Sequence, residues 1–340
     1  MSANKKSRKP SMADVAQAVG VSKTTISRYL QGEYGYMSEA TKTRIEEVIK
    51  ELGYRPNRMA QGLKATVSHM VGVSVADIGN PFTSLLLKGI QQECRARDIQ
   101  VLVSDSNNQA AVERTNIESL LDAQVDGVIV NTTGRNDEWL TSYCTKSSHK
   151  PMVMLDRIVQ PIVCDCVATD NHTASFTLLD HVVDVGFDYV VFVSFPQDGI
   201  STRMMRRESV EQYFLDRGLA GEVLIYDNDT HQLSSQIAAI LNKHTDNKIC
   251  FFANNDQTMQ DMLEVLSAQQ LEQVGLCGFA NERWAKYIAQ GVTCLDQDAV
   301  EMGRLAARKL IARAYDDYSG DFELEEVPAR LCIFNSTARR

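Results

Sequence analysis

The sequence predicts an α/β chain: an N-terminal three-helix head, a short helical tether, and a body of doubly wound parallel sheets. Three observations carry this. Three short segments of helical period, each preceded by a serine able to cap it, lie within the first 53 residues. From Met70 onward, apolar runs of strand length alternate with amphipathic stretches of roughly 12–18 residues. Charge is also divided along the chain. Residues 1–66 hold 12 Lys/Arg and 6 Asp/Glu, net +6, whereas the remainder holds 23 and 38, net −15. A basic head on an acidic body points to a polyanion partner for the head alone.

The head is built in order. In "SMADVAQAVGVSKTTISRYLQG", Ser11 with Asp14 reads as a capping box, Val15, Ala16 and Val19 form an apolar stripe, and Gly20 stops the first helix. Ser22 caps a second helix whose inner face is Ile26 and Leu30, with Val21 at the turn. Two short helices across a glycine-containing turn have helix-turn-helix spacing. Ser38 opens a third, with Ile45, Val48, Ile49 and Leu52 inward and Gly53 as its stop. The outer face of the second helix is Lys23, Thr24, Ser27 and Arg28, with Thr25 beside them and no acid among them. Hydroxyls and a helix N-terminus suit phosphates, and Lys and Arg reach guanine O6 and N7, so this face fits a DNA major groove.

"YRPNRMAQGLK" then supplies the tether. Asn57 to Leu63 has helical period but is far shorter than the ~12–15 residues an isolated helix needs, and Gly62 weakens it further.

"ADVAQAVGVSKTTISRYLQG" followed by "YRPNRMAQGL" resembles the headpiece and hinge of the lac/gal repressor family of bacterial transcription regulators. By that resemblance Lys23, Thr24 and Arg28 take the base-contacting positions, and Asn57 to Leu63 is a hinge helix. Leu63 is then the leucine that wedges into the operator's minor groove, with Asn57 and Arg58 against the backbone or groove wall. The implied partner is a near-palindromic double-stranded DNA operator read by a homodimer, and the implied location is cytoplasmic.

In the body, "MVGVSVAD", "IQVLVSDS", "VDGVIVNT", "PMVMLDR", "YVVFVSF", "EVLIYD", "KICFFAN" and "VGLCGFA" read as strands, and such continuous apolar runs belong in a parallel sheet covered on both faces. The body resembles the same family's effector domain, which is similar to periplasmic sugar-binding proteins. "VADIGNPF", "VDGVIV", "LDR", "TDN" and "ANNDQ" stand at its cleft-lining positions. The resemblance implies two lobes crossed by three strands. The expected domains are a headpiece at 1–55, a hinge at 56–67 and an effector and dimerisation domain at 68–340. Lobe one takes about 68–166 and 296–325, and lobe two takes 167–295 and 326–340.

Ligands of parallel sheets sit beyond the carboxyl ends of strands. Those ends offer Asn80, Phe82, Asp156, Arg157, Asn255, Asp256 and Ala280. "ISTRMMRRES" adds Thr202, Arg203 and Arg206, which could converge on an anion, while Arg207 points away. By resemblance Arg206 grips ligand. Two departures stand out. Ala280 occupies a position where the family commonly has aspartate, which favours a carboxylate-bearing ligand. Ser209 stands where the family usually has glycine. Trp284, one helical turn after Ala280, is expected to cover a sugar ring and donate one N–H bond, with packing in the core as the alternative. The whole pattern resembles the subgroup that responds to 2-keto-3-deoxygluconate and related sugar acids. A neutral sugar, or a corepressor in place of an inducer, remains the alternative, and a sugar-binding protein or an enzyme is more remote.

Composition removes other classes. No run approaches the ~20 apolar residues of a membrane span, and the basic N-terminus leads into no apolar segment of signal-peptide kind. None of the eight cysteines forms a CxxC pair, which favours buried free thiols over a metal or redox site. The six histidines are scattered, and no glycine-rich phosphate loop follows a strand, so no catalytic set, metal or cofactor is expected.

Overall fold

The computed structural model describes residues 10–30, 32–54, 67–146, 150–197, 199–289 and 291–338. Asn57, Arg58 and Leu63 lie outside the described residues, as does nearly all of the expected tether. The chain divides into two units, Met1–Ser68 and His69–Arg340.

Local hydrogen bonds shape the first unit. Helix α1 (Met12–Val19) opens with a full capping box: the Asp14 N–H donates to Ser11 Oγ at 3.4 Å, and the Ser11 N–H donates to Asp14 Oδ2 at 2.6 Å. Gly20 ends it at φ 80°, a left-handed conformation in which a Cβ would be strained. Helix α2 (Lys23–Leu30) follows Ser22, and α3 (Glu39–Leu52) follows Ser38, whose Oγ accepts the Thr41 N–H at 3.2 Å. Val15, Ala16, Ile26, Ile45, Val48 and Tyr54 form the core. Leu52, expected inward, is instead 37% exposed. Helix α3 has 14 residues against eight in each of its partners, so its last turn runs beyond them, and Tyr54 closes the core in its place.

The second unit begins with β1 (Met70–Val75), α4 (Pro81–Ala96), β2 (Gln100–Asp105), α5 (Ala110–Asp122), β3 (Val128–Val130), α6 (Asp137–Cys144), β4 (Met152–Leu155) and β5 (Asp165–Thr169). It continues with α7 (Asn171–Asp184), β6 (Tyr189–Ser194), α8 (Ser201–Arg217), β7 (Ala220–Ile225), α9 (Thr230–Lys243), β8 (Ile249–Ala253), α10 (Asp256–Val265) and α11 (Ala268–Gln273). The last elements are β9 (Gly275–Phe279), α12 (Glu282–Ala285), β10 (Thr293–Asp296), α13 (Ala299–Tyr315), β11 (Leu324–Val327) and β12 (Arg330–Cys332).

These strands form two six-stranded sheets, ordered β11-β5-β4-β3-β1-β2 and β12-β10-β9-β8-β6-β7. The inner strands bury both faces, whereas the edge strands β2 and β7 are only partly covered. Val128 and Val130 pack under α5 and α6, while Ile129 between them packs under α4 and α13. In the second sheet Val191, Val193 and Phe251 face α9 and α10, and Val190, Phe192 and Phe252 face α7 and α8. Two-sided burial is why these strands read as unbroken apolar runs.

The chain passes between the sheets three times: after β5, after β10 and after β11. Three expected lobe boundaries therefore move; the division at 295/296 falls at the last residue of β10 (Thr293–Asp296), which belongs to the second sheet. The divisions at 166/167 and 325/326 fall inside β5 and β11, which pair with each other along Cys166–Thr169 and Leu324–Val327 and both stay in the first sheet. One strand departs from the parallel pattern: β12 runs antiparallel to β10, with Cys332 opposite Cys294. All eight cysteines are free thiols, seven buried and Cys144 half-buried. Among the described residues no helix is long and apolar enough to cross a membrane.

Candidate functional site

Two places gather the residues that the sequence singled out. The first is helix α2. Lys23, Thr24 and Arg28 are exposed along it, with Ser27 partly so. The hydroxyls of Ser22 and Thr25 have local work as well: Ser22 Oγ accepts the Thr25 N–H at 3.1 Å and shares a 2.9 Å hydrogen bond with Thr25 Oγ1. They fix the N-terminus of the helix, which directs its amide groups and positive dipole end outward. The exposed groups of α2 are thus two cations and hydroxyls, with no acidic residue in the helix.

The second place is a cleft of about 770 Å³, counting space open to solvent, between the carboxyl ends of the two sheets. Asn80, Phe82, Asp156, Arg157, Thr202, Arg203, Arg206, Asn255, Asp256 and Ala280 all line it.

Each is held by the strand or helix end that carries it. Asn80 Oδ1 caps α4 by accepting the Phe82 N–H at 2.9 Å, and Asn255 Oδ1 caps α10 by accepting the Thr258 N–H at 2.8 Å. Asp156, at φ 67°, follows β4 and accepts from Asn131 Nδ2 at 3.4 Å. Arg157 Nη1 donates to the Thr132 carbonyl at 2.9 Å. Arg203 Nη1 donates to the Pro196 carbonyl at 2.6 Å, and its guanidinium lies over the Phe195 ring.

Arg206 is the most constrained of these side chains. It is 4% exposed and stacks 3.6 Å from the centre of the Phe279 ring. Its Nε donates to Asn171 Oδ1 and its Nη1 to the Asn254 carbonyl, each at 2.7 Å. These acceptors are neutral, so they aim the fork without cancelling its charge. Burial pulls the guanidinium down to about 10; Asp156 opposes this, and Arg157 adds to it. Arg206 therefore stays cationic near neutral pH. Burial raises the Asp156 carboxyl in turn, against the pull of Arg206 and Arg157.

One expectation changes. Trp284 does not line the cleft: it packs partly buried against the second lobe's core, and its Nε1–H donates to Asp256 Oδ1 at 2.9 Å. The short helix α12 points the indole behind the cleft wall, so it is not placed to cover a sugar ring. The cleft is also not dominated by arginine. Asp156, Asp256 and Asp296 balance Arg157, Arg203 and Arg206, although Asp296 is engaged by the Glu282 N–H and by Arg330. Ser209 is buried and donates to the Met205 carbonyl within its own helix, a packing role. Arg207 does pair outward, with Glu211 at 2.8 Å.

Sequence reasoning passed over Asn254, Phe279, Asn281 and Gln297 in the cleft wall, and Asn171 behind Arg206. Four of these lie at or beside a segment already noted, "ANNDQ", "VGLCGFA" or "TDN". The signal was present, but only packing shows which neighbour of a motif residue faces inward.

Comparison with known proteins recognises both parts of the chain. Residues 11–57 match the family of bacterial regulatory proteins of the lacI type, and residues 71–315 match a periplasmic binding protein domain. The HTH-type transcriptional regulator PtxS of Pseudomonas plecoglossicida is 34% identical over 306 residues, covering 89% of this chain and 88% of its own. The HTH-type transcriptional regulator KdgR of Bacillus subtilis (strain 168) is 30% identical over 310 residues, covering 89% and 91%. The lac repressor dimer bound to operator and the anti-inducer ONPF superposes with a TM-score of 0.85 at 19% identity, covering 97% of this chain and all of that one, which speaks to the fold. A helix-turn-helix head with a cationic recognition helix, joined to a two-lobed cleft, makes this chain a member of the lacI family of bacterial regulatory proteins, a DNA-binding regulator of transcription.

Proposed function

We propose that this regulator is a cytoplasmic homodimeric repressor of sugar-acid catabolism genes, released from a near-palindromic operator when a small sugar acid such as 2-keto-3-deoxygluconate enters the cleft. The observation that carries the ligand class is Arg206: a buried cation with neutral hydrogen-bond partners, facing a cleft in which position 280 supplies a methyl group and no carboxylate. A ligand carboxylate would meet a prepositioned two-point donor there. Asp156 and Asp256 offer acceptors for ligand hydroxyls. A neutral sugar is the second reading, favoured by the equal numbers of Asp and Arg in the cleft wall.

On DNA, Lys23, Thr24 and Arg28 read bases while Ser22, Thr25 and Ser27 sit nearer the phosphates. Asn57, Arg58 and Leu63 contribute at the operator centre; operator bending by Leu63→Ser, measured against the parent protein, tests the wedge, and equal bending rejects it. Ligand bound between the lobes changes operator affinity through a coupling of about 1–3 kcal/mol, some 5–150-fold. The deciding experiment is a thermal-shift panel of sugars, sugar acids and sugar phosphates, with an operator titration for each hit. Stabilisation by uncharged sugars alone rejects the sugar-acid reading. Tighter operator binding with the hit would make the ligand a corepressor.

A further inference from the structure

The three carboxylates of the cleft wall are held in different ways. Asp296 is engaged by Arg330 and by a backbone amide, and Asp156 is buried beside Arg206 and Arg157. Asp256 is held by neutral donors: its Oδ1 accepts the Asn281 N–H at 3.0 Å and the Trp284 Nε1–H at 2.9 Å, and its Oδ2 accepts Gln260 Nε2 at 3.1 Å. A carboxylate has about four acceptor positions, so three donors fix its plane and leave room on Oδ2 for one more. Gln260 and Asp256 are one helical turn apart in α10, whereas Asn281 and Trp284 come from α12, across the sheet end. The orientation of Asp256 is therefore set by a second element, and the indole is the side chain that sets it.

We infer that Trp284 is a positioning residue: its indole N–H aims Asp256 so that the remaining Oδ2 lone pair receives a hydroxyl of the bound ligand. The inference rests on the cleft being a sugar-acid site. Carboxylate recognition falls to Arg206, and hydroxyl recognition on the second lobe falls to Asp256, with Trp284 controlling it from behind the wall. Trp284 also packs, partly buried, against the core cluster of the second lobe. Replacing it with phenylalanine keeps most of the apolar contact and removes only the donor.

The experiment measures affinities of the full-length protein for 2-keto-3-deoxygluconate, D-gluconate and D-glucose in four forms: parent, Trp284→Phe, Asp256→Asn and the double variant. For an acid that binds the parent, Trp284→Phe is expected to weaken binding about 10- to 150-fold, the scale of one hydrogen bond to a charged group lost, with the melting temperature little changed. Adding Trp284→Phe to Asp256→Asn should cost nothing further, since the indole acts only through that carboxylate. Parent-like affinity in Trp284→Phe, or full additivity in the double variant, overturns the inference while leaving the sugar-acid reading intact. Failure of both acids to bind the parent overturns that reading, and this inference with it. The chain has two tryptophans, Trp139 and Trp284, so an indole NMR spectrum gives a ligand-free check. One resonance should move in Asp256→Asn, and two unmoved resonances would show that the hydrogen bond is not there.

Discussion

Replacing Gly199 with alanine should prop the lobes apart. Gly199 precedes α8 in the second lobe, and Gly134 follows β3 in the first; both adopt left-handed backbone, at φ 75° and 82°. A Cβ on Gly199 would stand 2.2 Å from the Gly134 carbonyl oxygen. Carbon and oxygen settle at roughly 3.3 Å, so the loops must part by about 1 Å. Beside them the Ile158 N–H donates to Ser201 Oγ at 2.9 Å, another bond from lobe to lobe. Gly218→Ala is the control, because φ is 64° there and nothing lies within 4 Å of the new Cβ. Both variants carry the left-handed cost of about 1–2 kcal/mol. Gly199→Ala alone adds a packing clash of about 1–3 kcal/mol. Opening the cleft relieves that clash, so the added cost falls on the closed form and on any ligand that needs it. We expect ligand affinity to drop about 5- to 150-fold in Gly199→Ala and to hold in Gly218→Ala. Calorimetry should place the melting temperature of Gly199→Ala lower by about 2–4 °C per kcal/mol of the added cost. Equal melting temperatures and equal ligand affinities for the two variants would refute the contact.

Other expectations follow from single contacts. Arg206→Lys keeps the charge but loses the fork that reaches both Asn171 and Asn254, so cleft binding should fall by about 30-fold or more while operator binding without ligand persists; isothermal titration reads the first and gel shift the second. Gly303→Ala gains helix propensity of roughly 1 kcal/mol, but its Cβ would meet the Leu86 carbonyl oxygen of α4 at 2.1 Å. The clash, about 1–3 kcal/mol or more, should win, and denaturant unfolding should show net destabilisation. His181 is half-buried, with Nε2 2.8 Å from Thr337 Oγ1, and burial lowers its pKa below 6.5 against the opposing charge of Asp184. The unfolded chain therefore takes up the proton first as pH falls. Stability from the neutral ring is complete above 6.5 and lost as pH drops toward the folded value; His181→Gln should flatten the melting-temperature profile below 6.5. Arg28→Ala should weaken operator binding by about 1–3 kcal/mol in fluorescence anisotropy at fixed salt, with no change in cleft affinity.

The sequence alone determined the features whose causes are local. Ser11 and Asp14 are three residues apart, so their reciprocal hydrogen bonds are readable as a capping box and appear as one. Six of the eight apolar runs became strands buried on both faces, hence covered parallel sheets, while β2 and β7 lie at sheet edges and are only partly covered; glycines such as Gly20 and Gly53 mark helix ends because few other residues accept positive φ. Tertiary structure decided whatever depends on partners far along the chain. Strands β5, β10, β11 and β12 are three to five residues long and mix charged or polar side chains with apolar ones, so their pattern is weak until the sheet order supplies a neighbour. Ser209, Arg206 and Trp284 look equally available in a one-dimensional string. The fold turns the first into helix packing, pins the second between residues 35 and 48 positions away, and places the third behind a carboxylate 28 positions distant. Side-chain type sets what a residue can bond, and the packing of separate elements sets which bond it makes.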